Sequence, residues 1–311
     1  MALTINTNMA SIQAQHALSS STKSLNSSIE RMTTGYKINS AKDDAAGLAV
    51  ANKMKVKLSS VSVAESNVQL GSSMLDTIEG NYEVIQDHLQ RIRDLTEQSA
   101  NGTYSSDSLT AISSEISQRL DEITRVANST EYNGLYLLNG DFGENGKKGL
   151  DLQVGITSST NSVIHLDGSL FNSIQASALT WMVKAKNTDG KDVDATGMKQ
   201  QEFADTCAGL GTKTGFEGTK GANQMLAVLD KAIATITERT TLLGATQNRL
   251  ESASDALQVQ SDNLTSSLST VRDADVASES SAYISAQILQ SASASLLSTA
   301  NQTPSIALNL I

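Results

Sequence analysis

Apolar residues recur every seven positions along two widely separated stretches of the chain. In the first stretch the series is Val61, Val68, Leu75, Tyr82 and Leu89, with a second series three places on at Ile78, Ile85 and Ile92. Two series with this offset form the a and d positions of a helical seam. The pattern predicts one helix over about 43–100, roughly 85 Å long at 1.5 Å per residue.

The last third of the chain repeats this spacing. The series consists of Leu229, Ile236, Leu243, Leu250, Leu257, Leu264 and Val271. It predicts a second long helix over about 222–271, and a shorter helix from Leu109 to Val126 carries its apolar residues on one face. Helices with one apolar stripe must cover it against each other. The sequence therefore predicts a mainly α fold, an elongated coiled-coil bundle built from the N- and C-terminal thirds.

Between the helical thirds the apolar period changes from seven to two. Apolar residues alternate with polar ones at Leu150, Leu152, Val154 and Ile156. Asn-Gly pairs at 133–134 and 139–140 are turn signals, so a small β-hairpin region is predicted. Residues 178–220 show no clear period and are predicted to form a small variable insertion at the tip, in which Trp181 and Phe203 anchor a minor core.

These changes of pattern divide the chain into three predicted domains. A terminal coiled-coil domain combines residues 1–44 and 272–311. A helical spoke domain, which carries the β-hairpin, combines residues 45–177 and 221–271. Residues 178–220 form the outer insertion.

The two ends of the chain hold few apolar residues among many Ser, Ala, Thr, Asn and Gln. Those expected to carry assembly are Ile5, Ile12, Ile29, Ile284, Ile288, Leu289 and Leu296. The conformational entropy lost on ordering such segments exceeds what so few buried side chains return. We therefore expect both ends to be largely disordered in an isolated chain and to fold on assembly.

The stretch KINSAKDDAAGLAVAN at 37–52 raises the question of a catalytic centre, because Asp43 and Asp44 are adjacent carboxylates. A capping box is the structural alternative: Ser40 accepts from a backbone N–H, Asp43 reaches back, and both acids lie in the first helical turn. Gly35 suits the left-handed residue that ends the preceding helix. Neighbouring helical side chains point about 100° apart. The sequence thus predicts a helix joint and no enzyme.

Composition narrows the remaining functions. The formal net charge of −10 disfavours nucleic-acid binding, which needs clustered Lys and Arg. Cys207 is the single cysteine, and His16, His88 and His165 are far apart, so no disulfide, metal site or cofactor is predicted. The sequence contains no run of about 18 apolar residues, so no membrane-spanning helix is predicted. The first residues lack signal-peptide features, which favours the cytoplasm or export by another route.

Seven stretches resemble bacterial flagellin. They are INTN at 5–8, IERMTTGYKINSAKDDAAG at 29–47, LQRIRDLTEQSANGT at 89–103, EISQRLDEITRVANSTEYNG at 115–134, RDAD at 272–275, QILQ at 287–290 and NQTP at 301–304. The resemblance covers about 1–177 and 221–311, with both ends in the right order. It implies a secreted subunit that polymerises with itself into the extracellular flagellar filament for motility. It also implies unfolded export through the flagellar secretion apparatus with a dedicated chaperone, and contacts with filament cap and hook-associated proteins.

The same resemblance implies docking to the innate receptor Toll-like receptor 5. The family's arginine, leucine and glutamate contacts match Arg91, Leu95 and Glu115. The residues alone favour a solvated helix face with local ion pairs. Three features depart from the family pattern: the Thr96-Glu97 pair, Ser285 and the ending IALNLI. Signalling after docking therefore does not follow from the resemblance.

Three alternatives remain open. A hook–filament junction protein is a structural relative with similar terminal helices, but it would match less closely at 39–47 and 89–103. A filament-borne metalloprotease would need zinc ligands in the insertion, and residues 178–220 contain no His. A coiled-coil signalling rod would need a membrane span or a binding module.

Overall fold

A computed structural model describes residues 7–142, 149–174, 184–186, 192–194, 200–210 and 218–308. The α-helices within these ranges are α1 (Met9–Thr34), α2 (Ala45–Ser99), α3 (Ser106–Ser129), α4 (Gln200–Cys207), α5 (Gly218–Arg272) and α6 (Val276–Leu308). The strands are β1 (Glu131–Tyr132), β2 (Leu135–Tyr136), β3 (Leu150–Gln153), β4 (Val163–Leu166), β5 (Lys184–Lys186) and β6 (Asp192–Asp194). The mainly α prediction is confirmed. Within these ranges, each helix is too short or too polar to traverse a bilayer.

The chain divides into two compact units. The terminal unit comprises Met1–Ser60 and Gln260–Ile311, and the central unit comprises Val61–Val259. The sequence-based boundaries were set at helix ends, whereas this division falls inside α2 and α5. The described residues of the predicted insertion belong to the central unit.

The terminal unit contains an antiparallel pair of helices, α1 and α6. Near the start of α1, the Asn8 amide donates to the carbonyl of Ala300 at 2.7 Å. Near its end, Arg31 lies 3.7 Å from the carboxylate of Glu279. Residue numbers fall along α6 as they rise along α1, which defines the antiparallel direction. The described parts of both terminal segments are therefore mostly helical, from Met9 to Thr34 and from Val276 to Leu308, and disorder of the ends in an isolated subunit stays a prediction.

The central unit buries the seven-residue series that the sequence identified. On α2 every member from Val61 to Ile92 is at most 4% exposed: Val61, Val68, Leu75, Ile78, Tyr82, Ile85, Leu89 and Ile92. On α5 the members from Leu229 to Leu257 are also buried. The last two members, Leu264 and Val271, belong to the terminal unit and are only half-buried. The same sequence period therefore produces a closed core in one unit and a partly open face in the other.

Polar contacts fix the direction of α2 and α5 within the central unit. The Arg93 guanidinium donates to Asp230 at 2.6 Å. The Gln247 amide donates to Glu79 at 2.8 Å. Because residue numbers rise along one helix as they fall along the other, the two helices run antiparallel here.

Among the described residues Tyr82 is the largest fully buried side chain, and its hydroxyl needs a partner. The hydroxyl donates to the carbonyl of Leu170 at 2.6 Å, and burial raises the pKa of this phenol to about 12. Arg239 donates to the carbonyl of Asn172 at 3.1 Å. These bonds attach the 3₁₀ segment Gly168–Phe171 and the residue that follows it to the helical core. Periodicity predicted the tyrosine ring at a seam position but could not identify this polar link.

The β-hairpin prediction is confirmed in the described residues. Asn133 and Gly134 have φ of 51° and 80°, the left-handed pair that a type I′ turn between β1 and β2 requires. In the second hairpin Leu150 lies opposite Leu166 and Leu152 lies opposite Ile164. Strand β3 ends at Gln153, so the alternation that sequence extended to Ile156 outlasts the strand.

Helix α4 was not predicted from the sequence. It packs on α3, where the Ser113 hydroxyl donates to Asp205 at 2.6 Å, and Phe203 and Cys207 are buried. Burial raises the pKa of the Cys207 thiol to about 12. With eight residues, α4 spans little more than two turns, too few to establish a period. Trp181 lies outside the described residues.

We predict that Gly149→Ala destabilises the central unit. Gly149 has φ of 96°, and a Cβ there would clash with the backbone carbonyl oxygen of Leu166 across the β3–β4 hairpin. Backbone strain and overpacking together should lower the free energy of unfolding by about 2–4 kcal/mol. Urea unfolding followed by far-UV circular dichroism measures this loss, and the midpoint should move to a lower urea concentration. Gly80→Ala is the control, because a Cβ at this exposed helical site meets open space. An unchanged midpoint for Gly149→Ala would contradict the described hairpin geometry.

Candidate functional site

Large apolar side chains on α1 and α6 point into solvent. Those predicted to carry assembly are between 39% and 63% exposed: Ile12, Ile29, Ile284, Ile288, Leu289 and Leu296. Ile5 lies outside the described residues. Val50 and Val56, on the part of α2 that belongs to the terminal unit, are exposed as well and were not predicted.

The apolar side chains on α1 and α6 could still gain free energy from burial, because a large part of their surface remains in water. Single exposed apolar residues are common on protein surfaces, but several of them on two paired helices make this pair the candidate interaction surface. Fully covering one Ile or Leu contributes about 1.5–3 kcal/mol, and these side chains have roughly half of that still to gain. The α1–α6 pair can therefore bind further apolar helices.

The chain links α1 to α2 and α5 to α6 through two joints that are bonded to each other. Gly35 ends α1 with φ of 74°, and its N–H donates to the carbonyl of Arg31 at 2.8 Å. The carbonyl of Gly35 accepts from the N–H of Ala274, and the N–H of Lys37 donates to the carbonyl of Arg272, both at 2.8 Å. These backbone bonds tie the N-terminal joint to the C-terminal one within the terminal unit.

An aromatic contact covers the same place. The guanidinium carbon of Arg272 lies 4.1 Å from the centre of the Tyr36 ring. Lys37 reaches the carbonyl of Thr270 at 2.9 Å. A cation over a ring contributes about 0.5–1 kcal/mol at an exposed site. Sequence reasoning missed this pairing because the two partners lie at opposite ends of the chain.

Asp43 organises the loop before α2 instead of lying in its first turn. One carboxylate oxygen accepts from the backbone N–H groups of Ser40 at 2.9 Å and Asn39 at 3.3 Å. The hydroxyl of Ser40 also donates to it, at 3.0 Å. These bonds hold the pKa of Asp43 below its usual value. One bond of the predicted capping box is thus present, the one in which the Asp43 carboxylate accepts from the backbone N–H of Ser40. The other is absent, because the hydroxyl of Ser40 donates to Asp43 and does not cap the helix.

Asp44 is the residue that caps α2. Its carboxylate accepts from the N–H of Gly47 at 2.9 Å, and the helix begins at Ala45. A Cβ on Gly47 would clash with this carboxylate and lie 2.7 Å from Cδ1 of Ile38. The acidic pair therefore has two separate structural tasks, one in the loop and one at the helix start.

Arg91 and Glu115 meet on the surface of the central unit. Their side chains are 3.2 Å apart and are 48% and 37% exposed. Arg119 bonds the same oxygen of Glu115 at 3.0 Å. Partial burial raises the pKa of Glu115, but the hydrogen bonds from Arg119 and Arg91 outweigh it and leave the pKa below its usual value.

Leu95 is not on this surface. It is 2% exposed and shares the buried face of α2 with Thr96 and Ser99. The hydroxyl of Ser99 donates to the carbonyl of Cys207 at the end of α4. Leu95 lies three residues after the seam residue Ile92, a spacing that could have indicated its place in the core. The structure therefore brings Arg91 and Glu115 together and assigns Leu95 to packing.

Known protein families match the N- and C-terminal helical regions of this chain. A family model described as the bacterial flagellin N-terminal helical region matches residues 5–142, and one described as the bacterial flagellin C-terminal helical region matches residues 226–311. Polar flagellin F of Vibrio parahaemolyticus is 31% identical, with all of both chains covered. The flagellar filament 30.7 kDa core protein of Treponema maltophilum is 33% identical, with 96% of this chain and 95% of that protein covered.

One solved structure adds a likeness of fold. A protein from Vibrio parahaemolyticus, provisionally described as a flagellar hook-associated protein, superposes with a TM-score of 0.56 at 14% identity. The match covers 74% of this chain and all of that one. At this identity the likeness shows the fold alone.

We predict that Leu95→Ala and Arg91→Ala affect stability very differently. Truncating a buried leucine should cost about 2–5 kcal/mol, whereas removing one partner of an exposed ion pair should cost at most about 1 kcal/mol. Urea unfolding of both variants beside the native chain measures the difference. Equal and small losses would contradict the packing role of Leu95.

Proposed function

Because this chain belongs to the bacterial flagellin family, we propose that it builds the filament used for motility mainly through the exposed apolar face of its paired terminal helices. It is a structural subunit of an extracellular flagellar filament, and it polymerises with copies of itself. The observation that carries the proposed contact is the set of large apolar side chains that α1 and α6 leave in solvent.

The pairing of α1 with α6 determines how this face can be used. Polar contacts hold the two helices together, as between Asn8 and Ala300 and between Arg31 and Glu279. The apolar residues Ile288 and Leu289 remain 63% and 58% exposed on the same pair. A neighbouring copy that covers them gains burial without first separating the pair. Terminal helices of successive copies would then form the filament core.

The exposed apolar side chains of α1 and α6 also bear on how the chain is exported and on which proteins bind it. We propose that the chain leaves the cell unfolded through the flagellar secretion apparatus, with a chaperone covering the C-terminal segment that becomes α6. Exposed side chains such as Ile284 and Leu296 support this, because they need cover before assembly. Cap and hook-associated proteins would contact the same terminal surfaces at the ends of the filament.

A non-catalytic role is part of the proposal. Asp43 and Asp44, the carboxylates that first suggested chemistry, are both engaged in backbone contacts at the helix joint. A hook–filament junction protein is the alternative function. It has less support, because the relatives similar along the whole chain at 31–33% identity are named as flagellins or as a flagellar filament core protein.

Docking to Toll-like receptor 5 is proposed at Arg91 and Glu115. Their side chains are accessible, and an arginine fork can bond polar groups of a partner. Leu95 would act from within, by holding this part of α2 in place, since it is 2% exposed.

We predict that Ile288→Asp prevents filament growth at concentrations at which the native chain polymerises. A charge at a residue buried between copies removes the gain from apolar burial, so the critical concentration should rise roughly tenfold or more. Sedimentation after seeding with native filament fragments measures it, and far-UV circular dichroism checks the fold of the monomer. The matched control is Ile288→Val, which should polymerise nearly as the native chain does. Normal filaments from Ile288→Asp would refute the proposed contact.

We predict that Arg91→Ala weakens binding to the purified receptor ectodomain at least severalfold, because it removes an exposed fork of donors. Surface plasmon resonance with the monomeric chain measures the dissociation constant. Arg125→Ala is the control, because Arg125 also pairs with a carboxylate, that of Glu122, on an exposed part of α3. Unchanged binding by Arg91→Ala would remove the receptor proposal and leave the filament proposal intact.

A further inference from the structure

Small side chains form the contact line between α1 and α6. Among the described residues of these helices, the buried ones are Ala14 and Ser28 on α1 and Ala286 and Ser293 on α6. The two on α1 are fourteen residues apart and the two on α6 are seven apart, so each pair occupies one heptad position. A coiled coil in water places large apolar side chains at such positions, whereas here those side chains are left outside.

Polar side chains join the two helices beside this line. The hydroxyl of Ser11 donates to the side-chain oxygen of Asn301 at 2.7 Å, and the amide of Gln290 donates to the hydroxyl of Thr22 at 3.1 Å. Small residues and side-chain hydrogen bonds between helices are typical of helix pairs in lipid, where large apolar side chains face outward. The α1–α6 pair therefore has the residue distribution of a pair that suits apolar surroundings.

Helix α6 carries almost no charge. Glu279 lies in its first turn, and the sequence from Ser280 to Leu308 contains no Asp, Glu, Lys or Arg. Within this stretch Ile288 and Leu289 are 63% and 58% exposed. Moving a charge out of water is costly, so a surface without charges can enter an apolar medium far more easily than a mixed one.

Positive charge is concentrated in the segment that leads from α1 into α2. Residues 1–60 contain seven Lys or Arg and three Asp or Glu, although the whole chain contains 23 and 33. Lys53, Lys55 and Lys57 are exposed near the start of α2, in the part that belongs to the terminal unit. Val50 and Val56 beside them are 44% and 67% exposed. Lysines among exposed apolar residues are typical of helices that lie on an anionic membrane surface.

We propose that the terminal unit of an unassembled subunit binds the surface of an anionic phospholipid bilayer. Apolar side chains of the α1–α6 pair enter the boundary between headgroups and acyl chains, and the lysines at 53, 55 and 57 contact the lipid phosphates. The helices lie along the surface and do not cross it. This inference goes beyond the proposed function and does not depend on it, because a monomer in the presence of vesicles tests it without any filament.

Charge restricts the lipid contact to the terminal unit. The central unit contains 15 Lys or Arg and 26 Asp or Glu, so an anionic surface repels it. The same surface attracts the lysines near the start of α2. Neutral lipid would supply the apolar layer without this attraction, and we therefore infer a preference for anionic headgroups.

Vesicle flotation with the full-length monomer tests the charged part of the contact. The probes are phosphatidylcholine vesicles with and without an equal share of phosphatidylglycerol, at protein concentrations too low for polymerisation. We expect the native chain to bind the anionic vesicles roughly tenfold or more tightly than the neutral ones. Lys53→Gln combined with Lys57→Gln should remove most of this preference. The control combines Lys231→Gln with Arg249→Gln, which removes the same charge from exposed sites of the central unit and should keep the preference.

A second pair of variants tests the apolar part. Leu289→Asn should weaken binding to the anionic vesicles roughly fivefold or more, because one large side chain no longer leaves water. Val259→Asn is the control, since Val259 is 60% exposed but belongs to the central unit. Both side chains are exposed, so far-UV circular dichroism should show that each monomer keeps its fold.

A fluorescent label locates the surface that enters the lipid. The native Cys207 is fully buried, and burial raises its pKa to about 12, so an environment-sensitive maleimide dye should not react with it at neutral pH. On Leu289→Cys the dye should shift to shorter wavelength and brighten when anionic vesicles are added. On Ser158→Cys, in the exposed loop between β3 and β4, it should change little.

Three results would overturn the proposal. Equal binding to both kinds of vesicle, or binding to neither, would contradict the anionic lipid contact. Equal losses from the two double variants would show that total charge governs binding and that the terminal unit does not. A dye response at position 289 no larger than at position 158 would show that the apolar side chains stay in water.

Discussion

Burial of one apolar seam is the interaction on which the rest of the structure depends. In the central unit α2 and α5 run antiparallel and bury their seven-residue series completely. Tyr82 lies in that seam, and its hydroxyl donates to the carbonyl of Leu170. This bond also attaches the 3₁₀ segment Gly168–Phe171 to the core. Helix α3 contributes a further buried stripe from Ile112 to Val126. The hairpins and the accessible arginines all take their positions from this core.

The same seam is only partly covered in the terminal unit. The series on α5 continues to Leu264 and Val271, but these side chains are only half-buried in the terminal unit. Along α1 and α6 small polar residues replace many of the large apolar ones, and several that remain, such as Ile12 and Ile288, are exposed. A chain of net charge −10 gains nothing from nonspecific attraction to its own copies. Under the proposed function, coverage of these few apolar positions by neighbouring copies is the main favourable contribution to assembly.

Sequence patterns predicted the long elements well because their signal accumulates over many turns. The main series on α2 and the series on α5 have five and seven members, and the Asn133-Gly134 pair has one strongly preferred turn geometry. Helix α4 has too few residues to show a period, and its contacts with α3 join distant parts of the chain. At the joint, Ser40 and Asp44 are both good caps, and only the position of the backbone selects Asp44. Leu95 was assigned by resemblance, whereas its burial depends on packing around it.

The shared carboxylate of Glu115 has a consequence for any partner that approaches Arg91. One oxygen of Glu115 accepts from both Arg91 and Arg119. Contact between Glu115 and Arg91 is solvent-exposed and contributes at most about 1 kcal/mol. If a partner draws Arg91 away, Arg119 still compensates the charge of Glu115, so no carboxylate is left unpaired. The arrangement orients the guanidinium of Arg91 before contact and leaves Glu115 paired with Arg119 after Arg91 has been drawn away.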